Sequence, residues 1–245
     1  MSDWRLAVLR HGRVLAPLVG ASCILVVVRL FSDHLAAKQV HGIGVMLLMV
    51  AMTVYALDYV IGVIGLGNDR LLLLSPTSRF RTLLMSCTVM SGYLVAGYVV
   101  TSIPAWHETT RGWPSVLLEG AGYLTSLFVG FGMASALTYS AKLVRGRGAM
   151  RIVCWASVTA LQAVLSGMCA VMLVRHFGVE SWIIGAGSDA DVVNVFSGLI
   201  PISALGVHDP ERLCWPFIAT NIVFGLVLWT AARFQAGRGV NYIEL

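Results

Sequence analysis

Apolar residues in this chain come in long runs, broken by short polar islands. Six runs, at 14–31, 42–66, 82–103, 115–141, 152–174 and 215–232, dominate the sequence. Each reaches the roughly 17 to 25 residues that an α-helix needs to cross a bilayer. The pattern predicts an all-α polytopic membrane protein, a single transmembrane domain over 1–245 with six transmembrane helices. A seventh apolar stretch, 192–205, has 14 residues and contains Gly198 and Pro201. As a helix it would span about 21 Å against roughly 30 Å of hydrocarbon. It therefore reads as a short re-entrant or interfacial segment on the outer side before the last span. At the other end of the chain, Trp4, Leu6, Val8 and Leu9 alternate with Arg5, Arg10 and Arg13. That mixture predicts a short N-terminal helix lying flat in the membrane interface, with a frayed basic tail as the plainer alternative.

Within the fourth run Gly122, Ser126, Gly130, Ala134 and Thr138 recur every four residues. A seam of small side chains on one helix face lets another helix backbone approach closely. Between the second and third runs lies an island of different character, 67–81. Asn68 or Asp69 can cap a brief helix carrying Leu71, Leu72, Leu73 and Leu74. Ser75-Pro76 stops that helix, because the residue before proline is pushed out of the helical region. Thr77 or Ser78 can then cap the next helix, which enters the bilayer behind Arg79 and Arg81.

Composition supports the membrane reading: 58% of residues are hydrophobic and 12% charged, about half the charged fraction of an ordinary soluble domain. Charge then orients the chain. With both termini in the cytoplasm, twelve of the 17 lysines and arginines fall on inner segments, among them Arg5, Arg10, Arg13, Arg70, Arg79, Arg81, Lys142, Arg145, Arg147 and Arg151. Cytoplasmic loops carry such an excess. The net charge of +5 is thus an orientation signal and an attraction to anionic lipid headgroups, and no nucleic-acid partner is implied. Cys23, Cys87, Cys154, Cys169 and Cys214 are odd in number and mostly inside runs, so no disulfide framework is expected. The residues before Cys23 do not make a lipoprotein signal, and the first span is expected to be retained.

Few side chains at depth can carry chemistry. Asp58 is the carboxylate well inside an apolar run, and Tyr55 and Gly62 share its helix face. A charge there costs a few kcal/mol unless it is paired, hydrated or neutral. It either lines a pathway or bonds to a neighbouring helix or an interfacial arginine. Glu119 stands one turn into the fourth span, where the helix dipole tolerates an acid; a pathway gate is the alternative. Gln162, in the fifth span, is expected to bond across helices. His34, His41, His107, His176 and His208 map to the outer side without ligand spacing, and Asp189 and Asp191 follow a glycine-rich turn. No metal site is expected. There is no Gly-rich phosphate loop ending in Lys-Ser/Thr, no zinc-protease helix and no Gly-x-Ser-x-Gly elbow, so no catalytic set is expected.

The leucine run followed by Ser75-Pro76-Thr77-Ser78-Arg79 and a new span resembles the coupling segment of permease subunits of type-2 ABC exporters. Asn68-Asp69 and Met85-Ser86 stand where that family often has an acidic Gly-Thr-type step and a Gly-Lys step. The resemblance implies a non-enzymatic transport subunit in the cell membrane, one half of an exporter. ATP and Mg²⁺ would bind on a separate ATPase subunit, with no cofactor on this chain. Asp69, Arg70, Leu72, Leu73, Ser75, Pro76, Thr77, Arg79 and Arg81 would dock on that ATPase. A second permease copy or a related permease would complete the pathway, and Tyr55, Asp58, Glu119 and Gln162 are the pathway candidates. An ordinary positively charged loop is the plain alternative for 67–81. For the whole chain the alternatives are a small-molecule-binding membrane subunit of a vitamin-type importer and an intramembrane enzyme.

Overall fold

The computed structural model describes residues 3–32, 34–66, 79–108, 113–141, 146–184 and 192–237. Six helices account for most of them: α1 Asp3–Leu30, α2 Leu35–Leu66, α3 Arg79–Glu108, α4 Trp113–Ala141, α5 Arg147–Phe177 and α6 Pro210–Gly237. They run from 28 to 32 residues, about 42–48 Å at 1.5 Å per residue. All six are long and apolar enough to cross a membrane, with mean hydropathy of 1.4 to 2.1 over their most apolar windows. This is the build of a multi-pass membrane protein. Their outer faces are as apolar as their inner ones. On α2, Ile43, Leu47, Val50 and Val54 are exposed while Met52, Ala56 and Val60 are buried. Helices that are hydrophobic all round suit lipid on one side and protein on the other.

Two expectations about elements change. The flat N-terminal helix is not a separate element: Trp4 to Leu15 form the first turns of α1, which continues through Pro17 to Leu30. Pro17 removes one helical hydrogen bond, and α1 continues beyond it. The fold is also not all-α. The stretch between α5 and α6 contains three strands, β1 Ser181–Ile184, β2 Val192–Ser197 and β3 Ile200–Leu205. They form an antiparallel sheet in the order β1-β3-β2.

The physical reasons for strands lie in the residues. Val192, Val193, Val195, Ile200 and Ile202 are β-branched and fit a pleated surface better than a helix. Ser197 pairs with Ile200, so Gly198-Leu199 is a two-residue hairpin loop. Gly198 has φ of +73° and Leu199 does not have a positive φ, the pattern of a II′ turn with glycine first. Pro201, opposite Phe196, sits where the ring does no harm. A pair next to the turn's hydrogen-bonded pair points its backbone groups away from the partner strand, here toward the β1 side. Among the described residues the pairing of β1 with β3 runs from Ser181–Leu205 to Ile184–Ile202 and does not include Pro201.

The β2-β3 hairpin is wedged among helices. β2 is buried along most of its length. Val193 and Val195 join a core with Leu173, Leu213, Phe217 and Ile218, while Phe196 joins the main core of Met52, Leu57, Met90, Leu94, Tyr98, Tyr123 and Leu127. The small-residue seam of α4 receives this hairpin as well as α6 along its first half. Gly122 faces the Phe196 ring, and a Cβ at Gly130 would collide with Leu199 at the hairpin tip. Gly130 is 17 residues from the start of α4 at Trp113, about 26 Å along the helix, so the tip reaches the helix's middle. Lower down, α4 and α6 close on each other: Gly132 lies against Leu228 and Trp229, and the Trp229 indole N–H donates to the Phe128 carbonyl at 3.0 Å.

Candidate functional site

The four pathway candidates separate into two sites. Glu119 and Gln162 belong to a cradle around the hairpin. Because β2 is an edge strand, the backbone groups of Asn194 and Phe196 point away from β3 and need partners elsewhere. Glu119, from α4, accepts the Asn194 N–H at 3.3 Å, and Asn221, from α6, donates to the Phe196 carbonyl at 2.9 Å. Gln162, from α5, holds the tip with both ends of one amide. Its Nε2 donates to the Ser197 carbonyl at 2.9 Å and its Oε1 accepts the Leu199 N–H at 2.6 Å. The expected bond across helices is thus a bond to hairpin backbone, with Ser166 on Gln162's own helix as a further acceptor at 2.9 Å.

This cradle is dry. Glu119 and Gln162 are each 4% exposed. The other Glu119 oxygen accepts the Tyr98 hydroxyl at 3.4 Å, and Ser203 donates to the Asn194 side-chain carbonyl at 3.0 Å. Tyr98, Tyr123 and Phe196 stack around it with ring centroids 4.7 to 5.4 Å apart, within the range of favourable aromatic pairs. Such a network serves to satisfy buried backbone and to fix the hairpin's position.

Tyr55 and Asp58 lie at the opposite end of the bundle, the end where α1, α3 and α5 begin. Their shared helix face opens toward two neighbours. Asp58 reaches α5, where its Oδ1 accepts the Arg151 Nε at 2.8 Å and Nη2 at 2.5 Å, with the Trp155 indole N–H at 3.4 Å. The Arg151 and Asp58 side chains are 52% and 34% exposed, so the pair stands at the surface of the bundle. Tyr55 turns to α1, its hydroxyl 3.3 Å from Nδ1 of the buried His11. The His11 ring meets Tyr59 edge-on at 4.5 Å, and the Arg10 guanidinium lies 5.3 Å from the Tyr59 ring centroid. The Tyr59 hydroxyl in turn meets Ser86 of α3 at 3.4 Å. One stretch of α2 therefore joins α1, α3 and α5 through polar contacts, an arrangement that holds charge and hydrogen bonds in place. No nucleophile, base and orienting group are aligned in these contacts.

Of the docking residues, Asp69, Arg70, Leu72, Leu73, Ser75, Pro76 and Thr77 lie outside the described residues. Arg79 is the first residue of α3, and Arg81 is exposed in that helix's first turn. Sequence reasoning missed His11, Asn194, Ser203 and Asn221. Asn194 and Asn221 carried a usable signal, an amide within an otherwise apolar stretch; His11 carried none, since it sits among arginines. Comparison with protein-family models, with curated proteins and with solved structures finds no match to this chain.

Proposed function

We propose that this chain is the membrane permease half of an ATP-driven ABC exporter, set in the cell membrane with both termini in the cytoplasm. The observation that supports the reading is which helix ends segment 67–78 connects: α2 is described to Leu66 and α3 from Arg79, at the end of the bundle where Arg10, Arg81 and Arg151 stand. The leucines of this segment fill a groove on an ATPase subunit and its arginines meet acids at the rim. ATP and Mg²⁺ bind on that subunit, and a second permease copy or a related permease completes the pathway.

In this reading the β2-β3 hairpin is re-entrant. Non-helical backbone at membrane depth is tolerated only where protein covers it, and Glu119, Gln162 and Asn221 supply that cover. The sheet includes the 192–205 stretch that the sequence predicts as a short re-entrant or interfacial segment. α4, the hairpin and α6 then form a rigid outer-side unit, and movement of the docking segment is passed to α2, whose Asp58–Arg151 contact links it to α5. Coupling needs two states that ATP binding stabilises differently.

The test is Arg79→Glu with Arg81→Glu in the chain purified with its native partners. Wild type retains an ATPase subunit in equal amount. The double variant inserts in the same orientation but releases that subunit, or hydrolyses ATP without export. A wild-type chain that purifies with no ATPase, or a double variant that binds and exports as before, rules the reading out.

A further inference from the structure

α5 turns a groove to the surface of the bundle on the side away from the hairpin cradle. Ala156, Ala160 and Ala163 form its floor between Ile152 and Trp155, Arg151 closes one end, and its volume is about 660 Å³. From Arg151 to Ala163 is 12 residues of helix, about 18 Å. That is a little over half of the roughly 30 Å hydrocarbon thickness, the depth of one leaflet. Apart from Thr159 midway along it, the groove is apolar except at the Arg151 end.

Arg151 has donors to spare. A guanidinium carries five N–H groups in a planar fork and no acceptor. Nε and Nη2 point to Asp58 Oδ1, and among the described residues Nη1 has no hydrogen-bond partner. The side chain is 52% exposed, and Arg145 and Arg147 precede it in the sequence. The Trp155 indole, which also donates to Asp58, marks this level as one where a ring with one polar edge meets water. A cation at headgroup level above an apolar trough of leaflet depth matches one kind of molecule, with an anionic head and a hydrocarbon chain. A second copy of this chain would lay an apolar helix face over Arg151 and leave its free donors without an acceptor.

We propose that this groove holds one anionic phospholipid, its phosphate on the Nη1 edge of Arg151 and an acyl chain along Ala156, Ala160 and Ala163. The proposal uses the membrane character of the chain and does not depend on the export reading. Lipid seated there packs against the same α5 turn that pairs with Asp58, so it is part of what holds α5 at this end of the bundle.

Native mass spectrometry of the full chain released from micelles holding equal phosphatidylglycerol and phosphatidylcholine tests it. Wild type is expected to retain one phosphatidylglycerol with a preference over phosphatidylcholine of about two- to fivefold, up to the worth of one arginine near an anionic headgroup, with Asp58 offsetting part of the attraction. Ala160→Phe with Ala163→Phe fills the groove and should lose that lipid. Asp58→Asn with Arg151→Gln removes the ion pair as a unit, avoids a lone charge, and should abolish the preference. Soluble glycerol phosphate should not compete, since it lacks the chain. Equal lipid retention by wild type and the groove-filled variant, equal retention of the two lipids by wild type, or competition by glycerol phosphate overturns the proposal. Should the ion-pair variant fail to fold, the groove-filled variant still decides.

Discussion

Gln162 offers a donor and an acceptor from one amide to two backbone groups of the hairpin tip, and no other side chain in the described contacts does so. Leucine at this position has similar bulk but no polar atoms, and would leave the Leu199 N–H and the Ser197 carbonyl buried without partners. Each such orphan costs about 1–3 kcal/mol. Gln162→Leu should therefore lower stability by about 2–6 kcal/mol, measured by thermal or denaturant unfolding in detergent. A loss below about 1 kcal/mol would show that water reaches the tip. Asp58 behaves differently, because its pair with Arg151 is a third to a half exposed. A double-mutant cycle with Asp58→Asn and Arg151→Gln should give a coupling of about 0.2–1 kcal/mol, as for solvent-exposed pairs. If Asp58 lies on the transport pathway, Asp58→Asn will alter export at unchanged stability. A coupling of several kcal/mol would instead make Asp58 a structural anchor. Both residues stood out in the sequence as polar groups in apolar runs. Their partners did not, since Leu199, 37 residues from Gln162, and Arg151, 93 residues from Asp58, are brought near only by folding.

At the scale of elements, the contest at 192–205 was between a short helix and a hairpin, and periodicity could not decide it. A strand buried on both faces has no polar alternation, and β2 is buried along most of its length. The deciding signals were local: β-branched residues on either side of Gly198, and a two-residue gap between them. The six long helices were legible because a span needs only length and hydropathy. Their ends were not, since helix continues past the apolar run into the interface, as α1 does from Asp3. The α4 seam was also legible as a close approach, but what approaches is the hairpin tip. Gly130→Ala places a Cβ into Leu199 and should cost about 1–3 kcal/mol, as overpacking does. Leu199→Ala alone should also destabilise, by about 2–5 kcal/mol for a leucine packed in a core. The two together should cost less than their sum, because the second change relieves the collision of the first. Strict additivity in unfolding measurements would place the tip away from the seam.

For the whole molecule, the consequence is an orientation that one helix can report. α5 runs from Arg147 to Phe177, 31 residues or about 46 Å, more than the hydrocarbon thickness. It is long and apolar enough to cross, and a crossing α5 has its two ends on opposite sides of the membrane. The start is flanked in sequence by Lys142, Arg145, Arg147 and Arg151, while the far end leads through Glu180 into the sheet, with Asp189, Asp191, Asp209 and Glu211 beyond. In the orientation proposed above, which rests on the bias of lysine and arginine to the cytoplasmic side, the start of α5 is inside and the sheet outside. Two positions suit a label. Gly148 is exposed, with open space where a Cβ would go and no positive φ, whereas neighbouring Gly146 has φ of +97° and would be strained by any side chain. Ser181, in the exposed strand β1, marks the other end. The cysteines at 87, 154, 169 and 214 are buried and Cys23 is exposed, so all five are replaced before one is introduced. In intact cells, a membrane-impermeant maleimide should label Ser181→Cys at once and Gly148→Cys only after permeabilisation. The reverse pattern would invert the molecule and carry the 67–81 segment to the outside, where no ATPase could meet it. Labelling of both sites from outside would mean that α5 does not cross, and with it the six-span arrangement would fail.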